Sequence, residues 1–290
     1  MEYRKLGRTG LDVSIISFGG IMLNNMNQEE ANKVVSEAIK RGVNLFDVGP
    51  TYGDAQNKLG PAIEKYREQI ILTCKTEAYK TKGEVRSDLE NSLKLLKTDF
   101  FDVYQLHEVI NEDLFKKSMG SGGALEAILE AKKDGLVNYV GFSSHSEEWA
   151  LELMKLYDFD TVMFPVNWNY WYNYHQGEAV IKKARETNKG ILAIKSLAQR
   201  RWKDGEERHG YKTWYKPLFD NDELAMLALK FTLSKDIDSA VSPGDKRLLY
   251  KSIDLIENNK GFLNLSNSEK ERLEEFVDLY GGQLYPVVTS

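Results

Sequence analysis

The sequence predicts an α/β fold of the (β/α)8 TIM-barrel type, eight parallel strands alternating with helices. Short apolar runs rich in β-branched and aromatic residues recur eight times, each followed by a longer amphipathic stretch. Right-handed parallel crossovers of that kind either form an open doubly wound sheet or close on themselves. No strand runs into the glycine fingerprint that an open dinucleotide-binding sheet carries at its first turn, which favours closure. The 290 residues suit eight such units with short additions at both ends, as one barrel domain over 1–290.

Residues 2–14 hold the turn Leu6-Gly7-Arg8-Thr9-Gly10-Leu11 between two extended pieces, a hairpin able to plug the bottom of a barrel. The strands are expected at 15–18, 44–47, 70–73, 101–104, 139–142, 161–164, 191–194 and 239–241. Helical spacing over 29–41 puts Ala31, Val34, Val35, Ala38 and Ile39 on one face, and 85–96 does the same with Val85, Leu89, Leu93 and Leu96. The series continues over 125–133, 149–157, 179–185, 224–233 and 248–256, with Ser146 and Asp222 as candidate N-caps. A further C-terminal helix is expected over 266–280, striped by Leu273, Phe276, Val277 and Tyr280.

A formal charge of −5, from 39 basic and 44 acidic residues, argues against a nucleic-acid partner. Cys74 is the sole cysteine, which excludes an intramolecular disulfide and a cysteine zinc cluster and fits a cytoplasmic protein. The N-terminus lacks the apolar core of a signal peptide, and no run nears the ~18 apolar residues of a membrane span. The histidines at 107, 145, 175 and 209 do not stand at ligand spacing, so no metal is expected.

In a barrel the chemistry sits where strands end and βα loops begin. The second strand ends at Asp47 and its loop carries Tyr52; the third ends at Lys75 and the fourth at His107. Carbonyl reduction needs a hydride on carbon and a proton on oxygen. A tyrosine phenol serves as the acid if its pKa, about 10 when unperturbed, is lowered, and the Lys75 ammonium is expected to do this. Asp47 would hold that lysine charged, and His107 would fix the substrate oxygen. The substrate expected is a small-molecule carbonyl compound.

The segment Phe46-Asp47-Val48-Gly49-Pro50-Thr51-Tyr52-Gly53 resembles the aldo-keto reductase signature, in which the Asp and the Tyr five residues on belong to a catalytic tetrad. Thr73-Cys74-Lys75 and Gln105-Leu106-His107 resemble the segments bearing the lysine and histidine. The opening Leu-Gly-Arg-Thr-Gly-Leu and Phe18-Gly19-Gly20 are similar to that family's hairpin and first strand, and the likeness runs in order to about residue 256. It implies a barrel, aldehyde or ketone substrates, and a nicotinamide cofactor contacted near Gly20. Ser143 and Ser144 stand where the family grips the carboxamide, Ser144 replacing a common Asn and Met163 a frequent Gln. Lys195, Ser196 and Leu197 match the segment under the nicotinamide and pyrophosphate. Gly244, Lys246 and Arg247 match the adenosine-phosphate segment, and Ser252 falls where an adenine-contacting Asn is usual. The two basic residues favour NADP(H) over NAD(H).

Several features have two readings. His145 is either a functional neighbour of the nicotinamide segment or a capping or packed residue. The aromatic cluster 168–174 either lines a pocket or packs its loop onto the next helix. The charged stretch 199–216 is either a solvated flap or a lid that brings Arg200 or Arg201 over a pyrophosphate. Cys74 is expected to be a buried small residue. Two other functions fit the same barrel: an aldolase-like lyase with Lys75 as Schiff-base amine, and a cofactor-binding regulatory protein with little turnover.

Overall fold

The computed structural model describes residues 1–259, 261 and 263–284. Two short strands open it, β1 (Tyr3–Lys5) and β2 (Asp12–Ser14), paired antiparallel around a 3-10 turn. The eight barrel strands follow: β3 (Ile16–Gly19), β4 (Leu45–Asp47), β5 (Ile71–Glu77), β6 (Phe101–His107), β7 (Val137–Ser143), β8 (Thr161–Pro165), β9 (Gly190–Ile194) and a last strand at Ser239–Val241 that pairs with both β9 and β3. Every pairing around the ring is parallel, so the sheet closes without an edge.

The interior is filled by inward strand residues. Leu45, Ile71, Val103, Met163, Leu192 and Val241 pack together, and Leu6 and Val13 of the hairpin close the layer from below. The hairpin therefore plugs the barrel as expected. Its Arg8 reaches the carboxylates of Asp158 and Asp160 at 2.6 and 3.2 Å.

One device is repeated around the lower rim. Asp102, Asp160 and Asp238 each accept the backbone N–H of the preceding strand, from Leu72, Val140 and Ile191, at 2.9, 2.9 and 2.7 Å. Each is matched by an arginine, Arg67, Arg8 and Arg185 respectively. A strand-edge donor that would otherwise lie buried without an acceptor is satisfied, and the carboxylate is not left as an unpaired charge.

Helices cover the outside: α1 (Gln28–Lys40), α2 (Ala55–Ile63), α3 (Lys82–Leu96), α4 (Glu112–Met119), α5 (Ala124–Lys133), α6 (Glu147–Leu156), α7 (Trp168–Tyr174), α8 (Glu178–Glu186), α9 (Asp222–Ser234), α10 (Lys246–Glu257) and α11 (Asn267–Tyr280). Their apolar faces, including the Ala31, Val34, Val35 and Ala38 stripe, form one core with the outer strand residues. Ser146 caps α6 as expected, whereas α9 is capped by Asn221, whose side chain accepts from Leu224 N, and Asp222 is its first helical residue.

Three helices had no counterpart in the sequence reading. In α2, Gly60 and Pro61 interrupt the helical signal, yet Gly60 packs so closely on α3 that an added Cβ would lie 2.0 Å from Leu95 O. The others are α4 and α7. The stretch 199–216 is likewise no plain loop: β10 (Ala198–Arg201) and β11 (Tyr215–Pro217) form an antiparallel pair there, and the last barrel strand (Ser239–Val241) becomes β12. Replacing Asp238 by alanine removes the acceptor of Ile191 N and the partner of Arg185. We expect a loss of about 3 kcal/mol in unfolding free energy, read by urea denaturation.

Candidate active site

The upper ends of β4, β5 and β6 bring Asp47, Lys75 and His107 to one mouth, and the loop after β4 returns Tyr52 to it. Lys75 is buried, donating to Asp47 Oδ2 at 2.7 Å and to the Tyr52 hydroxyl at 3.1 Å. The other carboxylate oxygen of Asp47 accepts from Thr73 Oγ1 at 2.8 Å and Gln105 Nε2 at 3.2 Å. Glycines permit the close approach: a Cβ on Gly49 would stand 3.0 Å from the Lys75 stem, and one on Gly20 would stand 2.7 Å from Asp47 O. Gly20 thus sets the backbone next to the site while Gly19 and Ile21 line the pocket itself.

The electrostatics follow from burial. Burial alone would lower the Lys75 pKa, but Asp47 and Tyr52 together hold it above its ordinary value. A lysine kept charged in this way is the wrong species for imine formation, which counts against the lyase reading. The expectation that Tyr52 is shifted down is corrected: burial raises it, Asp47 adds to the rise, and Lys75 opposes without prevailing. The phenol is therefore protonated across neutral pH. His107 is lowered to about 3, by burial first and then by repulsion from Lys75, so its ring is neutral; Nδ1 lies 2.6 Å from Ser143 Oγ. Cys74 is buried behind Lys75 with its thiol pushed up to about 12, an inert side chain.

The pocket is a cleft of about 750 Å³ that also receives Ser143, His145, Met163, Ile194, Lys195, Ser242, Pro243 and Gly244. A second cleft of about 670 Å³ adjoins it and shares Lys212 and Gly244; its wall includes Lys246 and Arg247. Two joined clefts with basic residues at the far end suit an elongated dinucleotide, so the donor set fits a nicotinamide cofactor. The fit is incomplete at the carboxamide end. Ser144 is buried and spends its hydroxyl on Val109 O at 2.5 Å, which leaves Ser143 and the Met163 thioether. Ser196 and Leu197 are buried outside the lining, and Ser252 turns its hydroxyl back to Leu248 O at 2.8 Å inside α10. Lys246 is ion-paired with Glu30, and Arg247 binds Asp245 at 2.8 and 2.9 Å while stacking on Tyr211.

The hairpin β10–β11 supplies residues that sequence reasoning missed. Lys212, Thr213, Trp214 and Tyr215 all line the pocket, and the Trp214 ring meets Tyr52 edge-on at 6.2 Å. The signal was present as two adjacent aromatics in a charged stretch. Arg200 does not reach into the pocket; both of its amino groups are clasped by Glu206 at 2.7 Å. In the cluster 168–174, Trp168 is buried and donates to Ala198 O at 3.2 Å and Tyr170 OH accepts from Leu284 N at 2.9 Å, while Trp171 and Tyr172 line a separate cleft with His175 and Glu178. His145 lines the pocket, with Nδ1 2.5 Å from Glu108.

A profile of the Aldo/keto reductase family matches residues 15–277. The uncharacterized oxidoreductase YqkF of Bacillus subtilis is 28% identical over 247 residues, covering 78% of this chain and 77% of that protein. The L-galactose dehydrogenase of Arabidopsis thaliana is 27% identical over 157 residues, 49% of this chain and 48% of that one. Among solved structures, the holo form of the aldo-keto reductase AKR11C1 from Bacillus halodurans covers 98% of both chains with a TM-score of 0.71 at 20% identity, a likeness of fold. Among the described residues no helix is long and apolar enough to cross a membrane.

A buried neutral histidine ties stability to pH. Between its ordinary 6.5 and about 3, the unfolded chain binds a proton at position 107 that the folded chain refuses. Stability should therefore fall as pH drops through that window, and a His107→Gln variant should show a shallower fall in urea titrations at successive pH values.

Proposed function

The chain belongs to the aldo/keto reductase family, and from that premise we propose that it reduces an aldehyde or ketone to the alcohol, with Tyr52 as proton donor and Asp47, Lys75 and His107 completing the site. The observation carrying this reading is the buried hydrogen-bonded chain from Thr73 and Gln105 through Asp47 and Lys75 to the Tyr52 hydroxyl.

A nicotinamide held along the joined clefts, by Ser143 and the Lys195 segment at one end and by Lys246 and Arg247 at the other, would supply the hydride. Tyr52 holds the proton destined for the carbonyl oxygen. Burial keeps it protonated at neutral pH, which is the state that reduction needs. As the proton leaves, the phenolate gains the full attraction of the Lys75 ammonium 3.1 Å away, an interaction stronger in the transition state than before it. In the tautomer in which Ser143 donates to Nδ1, the His107 proton sits on Nε2 and can hold the substrate oxygen. Trp214 and Tyr215 line the same cleft, the Trp214 ring edge-on to Tyr52.

The cofactor form we favour is NADP(H), received by Lys246 and Arg247. Both cations already have carboxylate partners, so a 2′-phosphate has to compete with Glu30 and Asp245. Glu30→Gln should then tighten NADPH binding several-fold and leave NADH nearly unchanged, as read by fluorescence titration. Equal effects on both would remove Lys246 from phosphate recognition.

Tyr52→Phe should lower kcat by about 100-fold or more while the cofactor Kd stays within about twofold. Near-full activity in that variant would exclude Tyr52 as the acid. In the wild-type protein, reduction should be flat from pH 6 to 8, and alcohol oxidation, which starts from the phenolate, should rise with pH.

A further inference from the structure

Building on the reductase reading, we infer that Gln105 is a positioning residue: its side-chain amide donates to Asp47 and draws part of that carboxylate's charge away from Lys75, so that the Lys75 ammonium faces Tyr52 with more of its own charge. Gln105 stands on β6, in register with Lys75 of β5 on one side and Gly141 of β7 on the other, and Gly141 is in register with Thr161 of β8. It is buried and does not line the cleft, so its route to the chemistry runs through Asp47.

The neighbouring strand makes room for this side chain. A Cβ at Gly141 would stand 3.1 Å from Gln105 Cγ and 2.2 Å from Thr161 Oγ1, so only a bare backbone fits between them. An ionised carboxylate accepts and cannot donate, which fixes Nε2 as the amide atom that meets Asp47 Oδ1, at 3.2 Å. Oε1 is thereby committed elsewhere, and there it is buried and finds no protein donor among the described residues. An acceptor in that position costs stability. A methionine of similar length would remove the cost, so packing does not account for an amide at this position. The hydrogen bond to Asp47 does.

The direction of the effect follows from the charges around Tyr52. Against the rise that burial imposes, Lys75 lowers the proton affinity of the phenol, and Asp47 raises it further. A donor on Asp47 weakens the second influence and leaves the first in force. Thr73 supplies one such donor to Oδ1 at 2.8 Å, and Gln105 supplies the other. The remaining titratable groups coupled to Tyr52 are Cys74 and Tyr215, both kept neutral by burial. The balance at the phenol therefore lies between Lys75 and Asp47, and Gln105 acts on that balance.

The test uses Gln105→Met, which keeps the length and removes the donor, Gln105→Glu, which donates only while protonated, and Thr161→Val as a packing control. The carbonyl probe is 4-nitrobenzaldehyde, with 4-nitrobenzyl alcohol for the reverse direction. Gln105→Met should slow single-turnover reduction by about 10-fold, with the NADPH Kd within about twofold and a urea midpoint equal to or above that of the wild type. The pH at which alcohol oxidation rises should move up by about one unit. Gln105→Glu should reduce well near pH 6 and lose rate toward about pH 8, because burial beside Asp47 raises its carboxyl above the ordinary range. Thr161→Val should keep the wild-type rate and profile. An unchanged rate and oxidation profile in Gln105→Met overturns the inference, as does a Gln105→Glu profile parallel to the wild type. So does a loss of rate that comes with a lower urea midpoint and that Thr161→Val reproduces. If no carbonyl compound is reduced, a pH-jump ultraviolet titration of tyrosine, with Tyr52→Phe subtracted, separates the two claims. A Tyr52 ionisation about one pH unit higher in Gln105→Met keeps the positioning role while the reductase reading falls, and an unchanged ionisation overturns the positioning role as well.

Discussion

The ion pair between Lys75 and Asp47, 2.7 Å apart and shut away from water, is the constraint on which the upper half of the molecule depends. Two charges in that setting are tolerable only when their remaining valences are filled. Thr73 and Gln105 fill those of Asp47, and Tyr52 takes a further proton of Lys75. These partners sit on neighbouring strands in register, Asp47 beside Thr73 and Lys75 beside Gln105. A slip of one residue between β4, β5 and β6 would turn each of these side chains to the opposite face. Barrel closure and site geometry are therefore one condition.

The two ends of the barrel use charge differently. At the bottom, Asp102, Asp160 and Asp238 each tie a neighbouring strand to an arginine. At the top, burial and close partners push the groups away from their ordinary pKa values: Asp47 and Tyr52 keep Lys75 charged against burial, while burial lowers His107 and raises the Tyr52 phenol. Around that mouth other cations are tethered in advance, Lys246 by Glu30, Arg247 by Asp245 and Arg200 by Glu206. An incoming anion must exchange with these partners, so selectivity becomes a difference between two pairings rather than the presence of a positive charge.

The lid owes its position to long-range packing. Asn167 and Trp168 both hold Ala198 O, and Asn169 reaches Gly282 O at 2.7 Å. The segment after α11 thereby fastens the aromatic helix α7 to the base of the β10–β11 hairpin, and Trp214 is carried over Tyr52. The cluster 168–174 serves the site from behind.

By itself the sequence determined the strand–helix rhythm, the plugging hairpin and the four residues at the strand ends. Hydrophobic periodicity and strand termini are local properties, and Asp47, Tyr52, Lys75 and His107 each stand at a place that local pattern marks. The helix α2 stayed hidden because Gly60 and Pro61 oppose it locally and packing against α1 and α3 offsets that. The tertiary structure alone decided the sign of the Tyr52 shift, the withdrawal of Ser144 into a hydrogen bond with Val109 O, and the pairing of Lys246 with a glutamate 216 residues away. Each depends on desolvation or on partners distant in the chain, and electrostatic free energy is a function of what surrounds a group in space, which sequence neighbours do not specify.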